Sequence, residues 1–294
     1  MQNTLEQWAG DNVTRQAVHT ILLAIASDQD LKETLIMKGG MLMSIKYNSD
    51  RYTDDVDFSN GKKLTEDNLE ELYAGLDEGL AVASASSGYS VVCWCQSREV
   101  KPKINGTFPT VQIKVGYADR SNKAEEKYIN NRNSNRIIKI DCSYNEVLLK
   151  NELLNISNED EIFTYSIYDI IGEKIRSLLQ QMVRKHSNRE QDVYDLNFIL
   201  VNRKFDEAER ASVLKALSEK SVGRGIRHLI RDDVFEDEEL RERSKAGYMG
   251  LSDYVDELPD FDQAYGVVSN FYKELPWHRV GVDIILPDPD IANA

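Results

Sequence analysis

The chain has 294 residues, enough for one or two domains with a sizeable core, and its 50 acidic against 36 basic residues give a formal charge of −14. That balance excludes a general nucleic-acid coat, whose binding depends on neutralising phosphates, but not a nucleic-acid substrate held by a local basic patch. Cys93, Cys95 and Cys142 form neither a disulfide framework nor a zinc-ligand pattern, and no signal segment or long apolar span is read, so a soluble cytoplasmic protein with no membrane segment is expected.

Residues 4–35 read as two helices, with Val13, Ala17, Ile21, Leu22 and Ile25 at helical spacing. Leu35-Ile36-Met37 suits a buried strand, followed by Lys38, Gly39 and Gly40 and a short helix over 41–45. The glycine pair therefore stands at a helix N-terminus, where free N–H groups and the positive dipole end favour a phosphate, and where no Cβ keeps a ligand away. Arg51 and Thr53 come next, then a strand over 55–58. Alternation puts Asp55 and Asp57 on one side and Val56 and Phe58 on the other, core side. Two carboxylates sharing a face repel each other unless a hard cation lies between them, and oxygen ligands with room for phosphate oxygens suit Mg²⁺.

Another amphipathic helix spans 64–80, with Leu69, Leu72, Leu76 and Leu80 on its stripe and Thr65 as cap, and the small residues 83–88 read as a linker. Strands are expected over 89–95, 110–117 and 136–143, with Cys93 and Cys95 as buried thiols on one face. The polar stretch 119–135 reads as a mobile loop. From Arg98 to Lys139 there are ten Lys or Arg against four Asp or Glu, a local excess of six positive charges and the one hint of an RNA-facing surface. The strand over 137–141 ends on a lone carboxylate, Asp141.

From about residue 150 the pattern turns helical to the end, with 162–165 as an apolar lead-in and Ser166 with Asp169 as a capping box. A helix over 167–183 buries Ile170, Ile171, Ile175, Leu178, Leu179 and Met182, and Lys174 falls at or beside that stripe. Such a lysine either snorkels to water or meets a ligand. Residues 184–189, with His186, form a basic turn, and in the next helix Asp192 shares a face with Asp195, Leu196 and Ile199. Residues 231–245 read as a solvated charged face, Tyr254, Phe261, Tyr265, Phe271 and Tyr272 as helix packing, and 286–289 as a loose tail.

The stretch from Lys38 to Ser59 resembles the signature of the AbiEii/AbiGii toxin family of nucleotidyltransferases, which includes the MenT-type toxins and belongs to the DNA polymerase β-like superfamily. The family's Lys-Gly-Gly turn, helix and Arg-aromatic-Ser/Thr element ahead of Asp-x-Asp are matched by Lys38, Gly39, Gly40, Arg51, Tyr52, Thr53, Asp55 and Asp57. A second signature, Glu-Lys followed by Asp-x-x-Asp-Leu, is matched by Glu173, Lys174, Asp192, Asp195 and Leu196. Gly40 replaces the serine usual in the superfamily's turn, so a phosphate-touching hydroxyl would have to come from Ser44 or Thr53.

The resemblance implies an α+β fold: a polymerase-β-like nucleotidyltransferase lobe with a mixed sheet over 1–155, then a helical lobe over 156–294 that contributes to the nucleotide site. It implies a Mg²⁺-dependent nucleotidyltransferase toxin of a toxin–antitoxin or phage-defence system. Asp55, Asp57 and Asp141 would hold the metal, with Asp141 also assisting the attacking hydroxyl. Lys38, Gly39, Gly40, Arg51, Thr53 and Lys174 would bind the NTP, with Lys174 a catalytic point charge on its phosphates. Asp192 and Asp195 would complete the nucleotide site, Asp192 either orienting Lys174 or contacting ribose or base. The 3′ end of tRNA is the expected acceptor and a cognate antitoxin the expected partner. A protein acceptor, or a nucleotide-binding module without turnover, are the alternatives.

Overall fold

The alternation at Asp55-Val56-Asp57-Phe58 becomes a strand with Val56 and Phe58 fully buried and both acids half-buried. A computed structural model describes residues 5–184 and 189–287. It divides into two units, one of Met1–Asn48 and Thr53–Tyr165, the other of Ser49–Tyr52 and Ser166–Ala294.

The first unit runs through α1 (Leu5–Ala9), α2 (Val13–Ser27), α3 (Gln29–Thr34), β1 (Ile36–Lys38), α4 (Gly39–Tyr47), β2 (Asp55–Ser59) and α5 (Glu66–Ser86). It continues with β3 (Val91–Lys101), β4 (Thr110–Asp119), α6 (Glu126–Asn131), β5 (Ile137–Ser143), β6 (Asn151–Asn155) and β7 (Glu161–Tyr165). The seven strands form one mixed sheet in the order β3-β4-β5-β2-β1-β7-β6. Only β2–β5 and β1–β7 pair in parallel. Helices α2 and α5 pack against each other and both meet β3. Val56, Phe58, Val111, Ile113, Ile138 and Ile140 are all at most 1% exposed, and each such burial stabilises the fold by roughly 1.5–3 kcal/mol relative to exposure.

Local sequence explains the helix starts. The Asn12 side chain accepts from Arg15 N to open α2, and Thr65 and Asn68 form a reciprocal capping box on α5. Three expectations are corrected here. The segment 4–35 holds three helices, because Asp28 ends α2 and caps α3. The small residues after Leu80 extend α5 to Ser86, where Ala83 and Ser84 pack inward and the Ser84 hydroxyl accepts from Cys93 N. The supposed loop at 119–135 contains α6 behind a 3₁₀ turn at Lys123–Glu125, pinned by Asp119 N donating to Glu125. Cys93 and Cys142 are buried free thiols and Cys95 is half-buried, with burial pushing its thiol up to about 11.

The chain also stays in the sheet longer than the pattern around residue 150 suggested. The lead-in at 162–165 is strand β7, hydrogen-bonded to β1 on one side and β6 on the other.

The second unit contains α7 (Ile167–Gln180), α8 (Glu190–Asn202), α9 (Glu207–Lys220), α10 (Glu238–Lys245) and α11 (Phe261–Lys273). Ser166 caps α7 by accepting from Asp169 N and donates to the Asp169 carboxylate; the helix ends at Gln180, three residues short of the expected Val183. Gly172 lets α7 and α9 touch, since a Cβ there would lie 2.7 Å from Ala216 Cβ. Phe235, Tyr248, Phe261, Tyr265 and Tyr272 pack as one aromatic cluster, whereas Tyr254 is 52% exposed. His186 and the residues from Asp288 onward lie outside the described residues, so the basic turn and tail are described only in part. No helix among the described residues is long and apolar enough to cross a membrane.

Candidate active-site groups

In the first unit, strand register lays the candidate acids out in two rows across the sheet. One row runs Lys38, Asp57, Asp141, Gln112 over β1, β2, β5 and β4. The other runs Asp55, Lys139, Lys114 over β2, β5 and β4. Asp57 and Asp141 are thus direct neighbours on parallel strands, and Gln112 Nε2 reaches both Asp141 oxygens, at 3.0 and 3.3 Å. Burial pushes the Asp141 carboxyl above its usual range, Gln112 pulls it back and Asp55 adds to the rise. Lys139 Nζ lies 3.3 Å from Asp55 Oδ1, and the Asp55 charge holds that ammonium above its ordinary range.

The glycine turn meets these acids directly. Gly39 has φ +75°, and a Cβ built on it would fall 2.0 Å from Asp57 Oδ2, so the carboxylate occupies the space that any side chain at 39 would fill. Gly40 is buried in the first turn of α4. Lys38 is 8% exposed, with Nζ 5.9 Å from the Tyr165 ring centre. The Thr53 hydroxyl accepts from Asp55 N at 3.2 Å, which turns the chain into β2. Among the described residues no three His, Cys, Asp or Glu side chains are drawn together tightly enough to form a metal cluster. The donor set nevertheless fits a hard divalent cation: adjacent carboxylates are oxygen ligands whose mutual repulsion a cation would offset.

The second unit holds a different constellation. The segment Ser49–Tyr52 is bonded into it: Tyr194 Oη donates to Asp50 Oδ1 at 2.5 Å, Asp256 N donates to Asp50 Oδ2 and Tyr52 N donates to the Tyr254 carbonyl. Arg51 grips Asp195 with two parallel bonds, Nε to Oδ1 at 2.8 Å and Nη2 to Oδ2 at 3.0 Å. Lys174 Nζ donates to Asp195 Oδ2 at 2.6 Å and to Asp192 Oδ1 at 3.1 Å. Burial alone would raise the Asp195 carboxyl, but Lys174 and Arg51 outweigh it and hold it below its usual range. Burial likewise disfavours the Lys174 ammonium, and Asp195 and Asp192 more than compensate, holding it above its ordinary range. One acceptor is left over, because the buried Asp192 Oδ2 has no hydrogen-bond partner among the described residues.

A family model described as the nucleotidyl transferase AbiEii toxin of a type IV TA system matches residues 20–267. The chain belongs to the AbiEii nucleotidyltransferase toxin family. It is similar in fold to JHP933 from Helicobacter pylori, at 15% identity over 90% of this chain and 92% of that one, with a TM-score of 0.51. A putative nucleotidyltransferase from H. pylori matches at 13% identity, 89% and 92% coverage and TM-score 0.48. MenT4, a nucleotidyltransferase toxin from Mycobacterium tuberculosis H37Rv, matches at 16% identity, 92% and 97% coverage and TM-score 0.47. No curated protein matches the chain.

Two side chains beside the acids of this AbiEii-family nucleotidyltransferase escaped the sequence reading, Gln112 and Lys139. Both were accessible to it in principle: Thr110-Val111-Gln112-Ile113-Lys114 alternates strictly, as does 138–141, so each polar residue had to face the acid side once the strands were paired. Only the register could say which carboxylate each would meet.

The raised Asp141 carboxyl has a stability consequence. A folded-state pKa above the unfolded value means that the folded chain binds that proton more tightly, so the contribution to stability falls as pH rises from the unfolded value through the folded one. At pH 7 the ionised Asp141 therefore costs stability. Asp141→Asn is expected to raise Tm at pH 7, with the gain shrinking as pH is lowered toward about 3.9, while transfer activity drops by roughly 10²–10⁴. Thermal melts across pH beside a transfer assay check both halves; a lower Tm at pH 7 would show that the burial penalty is not the dominant effect.

Proposed function

We propose that this toxin transfers NMP from an NTP to an RNA acceptor, specifically the 3′ end of tRNA, in a Mg²⁺-dependent reaction in the cytoplasm as part of phage defence. The observation that carries the reading is the pairing of Asp57 with Asp141 on adjacent parallel strands, with the Asp57 carboxylate set against Gly39 at the start of α4. In this reading Asp55, Asp57 and Asp141 hold Mg²⁺. The bound ion would neutralise phosphate charge and polarise the reacting phosphoryl group. Asp141 accepts the proton of the attacking hydroxyl. The N–H groups at Gly39 and Gly40, with Lys38 and Thr53, bind phosphate oxygens at the α4 N-terminus.

The first unit is the nucleotidyltransferase lobe in this proposal and the second the helical lobe. Arg51 and Lys174 are the second unit's proposed nucleotide-binding cations; Asp195 fixes the direction of both and Asp192 that of Lys174. Asp192 Oδ2, without a hydrogen-bond partner among the described residues, supports a further contact with a ribose or base donor. Attack at the α-phosphorus releases pyrophosphate, and catalysis arises mainly from positioning and charge stabilisation. Support for an RNA acceptor is the excess of six positive charges between Arg98 and Lys139, where Lys103, Lys114, Lys123, Lys127 and Arg132 are exposed.

The test incubates the protein with Mg²⁺, each α-labelled NTP, total tRNA and a cell lysate, beside Asp57→Asn. Label on tRNA, reduced by roughly 10²–10³ or more in the variant, is the expected result. Label on protein bands would move the assignment to protein nucleotidylylation, and NTP binding without transfer would make the chain a non-catalytic module.

A further inference from the structure

Lys139 occupies the centre of the second row, with Asp55 beside it on β2 and Lys114 beside it on β4. Its ammonium lies 3.3 Å from Asp55 Oδ1, and the two side chains are 53% and 45% exposed. Like charges directly opposite on neighbouring strands repel, so Lys114 biases the Lys139 ammonium toward Asp55. We infer that Lys139 is a built-in cation that competes with divalent metal for Asp55 and so sets how tightly the acid face takes a metal ion. The inference rests on the metal-binding role proposed above for Asp55, Asp57 and Asp141.

The physical basis is an exchange of one cation for another. A metal ion that takes Asp55 Oδ1 ends the ion pair with Lys139. The ammonium is a compact charge on a flexible four-carbon stem, so it can turn aside without moving the strand. It remains close by, however, and repels the incoming ion. Two charges against one at about 6 Å in water amount to roughly a tenfold weakening of metal binding. Because the pair is exposed, added salt should erode that factor.

Mn²⁺ binding to the full chain, followed by electron paramagnetic resonance and calorimetry at low ionic strength, tests the idea without any catalytic readout. Lys139→Met is expected to bind Mn²⁺ roughly tenfold more tightly than the native chain, with the difference narrowing toward about 0.15 M salt. Lys139→Arg keeps the charge and should stay close to the native affinity, and Lys114→Met, one strand further away, should show a smaller gain than Lys139→Met. Lys139→Gln serves as a second neutral variant should the methionine variant fold poorly by circular dichroism. Unchanged or weaker binding in both neutral variants, with binding still lost in Asp57→Asn, overturns the competitor role and leaves the metal reading intact. Mn²⁺ binding that ignores Asp57→Asn overturns the metal reading and this inference with it.

Discussion

Asp195→Ala is expected to destabilise the protein by about 3–5 kcal/mol, the usual cost of removing one partner from a buried charge network. Asp195 is fully buried and receives three charge-assisted hydrogen bonds, two from Arg51 and one from Lys174. Its removal leaves Lys174 with Asp192 alone and Arg51 without its bidentate carboxylate. Urea unfolding of the two proteins measures the difference; a loss below about 1 kcal/mol would place the network in the class of exposed surface pairs and overturn this account.

The same network fixes a pH window. Asp195 has a depressed folded-state pKa, so its contribution is present above the unfolded carboxyl value and is lost as pH falls through the folded one. Lys174 has a raised folded-state pKa, so its contribution is complete below the unfolded ammonium value and is lost as pH rises through the folded one. The gap between native and Asp195→Ala stability should therefore stay flat between about pH 4 and 10 and close outside that range.

Gly39→Ala should damage activity and stability together. The residue sits at φ +75°, which costs a residue with a side chain about 1–3 kcal/mol, and its Cβ would overlap the Asp57 carboxylate. The backbone cannot yield without disturbing the start of α4, so Asp57 has to move. A displacement of about 1 Å at a reacting centre costs roughly 10² in rate. A transfer assay and urea unfolding of Gly39→Ala, Asp57→Ala and the double variant separate the two effects. Coupling of about 0.5–3 kcal/mol in the double variant, recovered because the overlaps with Asp57 Oδ2 and Cγ are gone and only its Cβ, 2.9 Å away, remains close, is the expected outcome. Strict additivity would mean that the strain is purely a matter of backbone conformation.

Much of this was legible before any coordinates, and the reasons differ by element. Period-two alternation located β2 and β5 because one face of each is fully buried, and the Lys-Gly-Gly turn declared itself because α4 begins directly on a residue with positive φ. Strand β6 was missed because it is an edge strand whose alternate residues are exposed, and β7 because five residues give too short a pattern to separate from a helical lead-in. The end of α5 looked like a linker because alanine and serine serve equally as loop residues and as the flat surface that lets a helix lie close to a strand. The pairing of Arg51 with Asp195 was out of reach for another reason: no local periodicity links residues separated by 144 positions.

That separation has a consequence in time. Arg51 leaves the ribosome 144 residues before Asp195, which at about 5–20 residues per second is a delay of roughly 7–30 s. Throughout that interval the nascent chain carries a guanidinium whose permanent partner has not been synthesised. A ribosome that stalls before α8 releases a product holding all three acids of the sheet but neither Asp192 nor Asp195. Under the residue roles proposed above, a chain cut short before α8 lacks groups it needs to harm the cell that makes it.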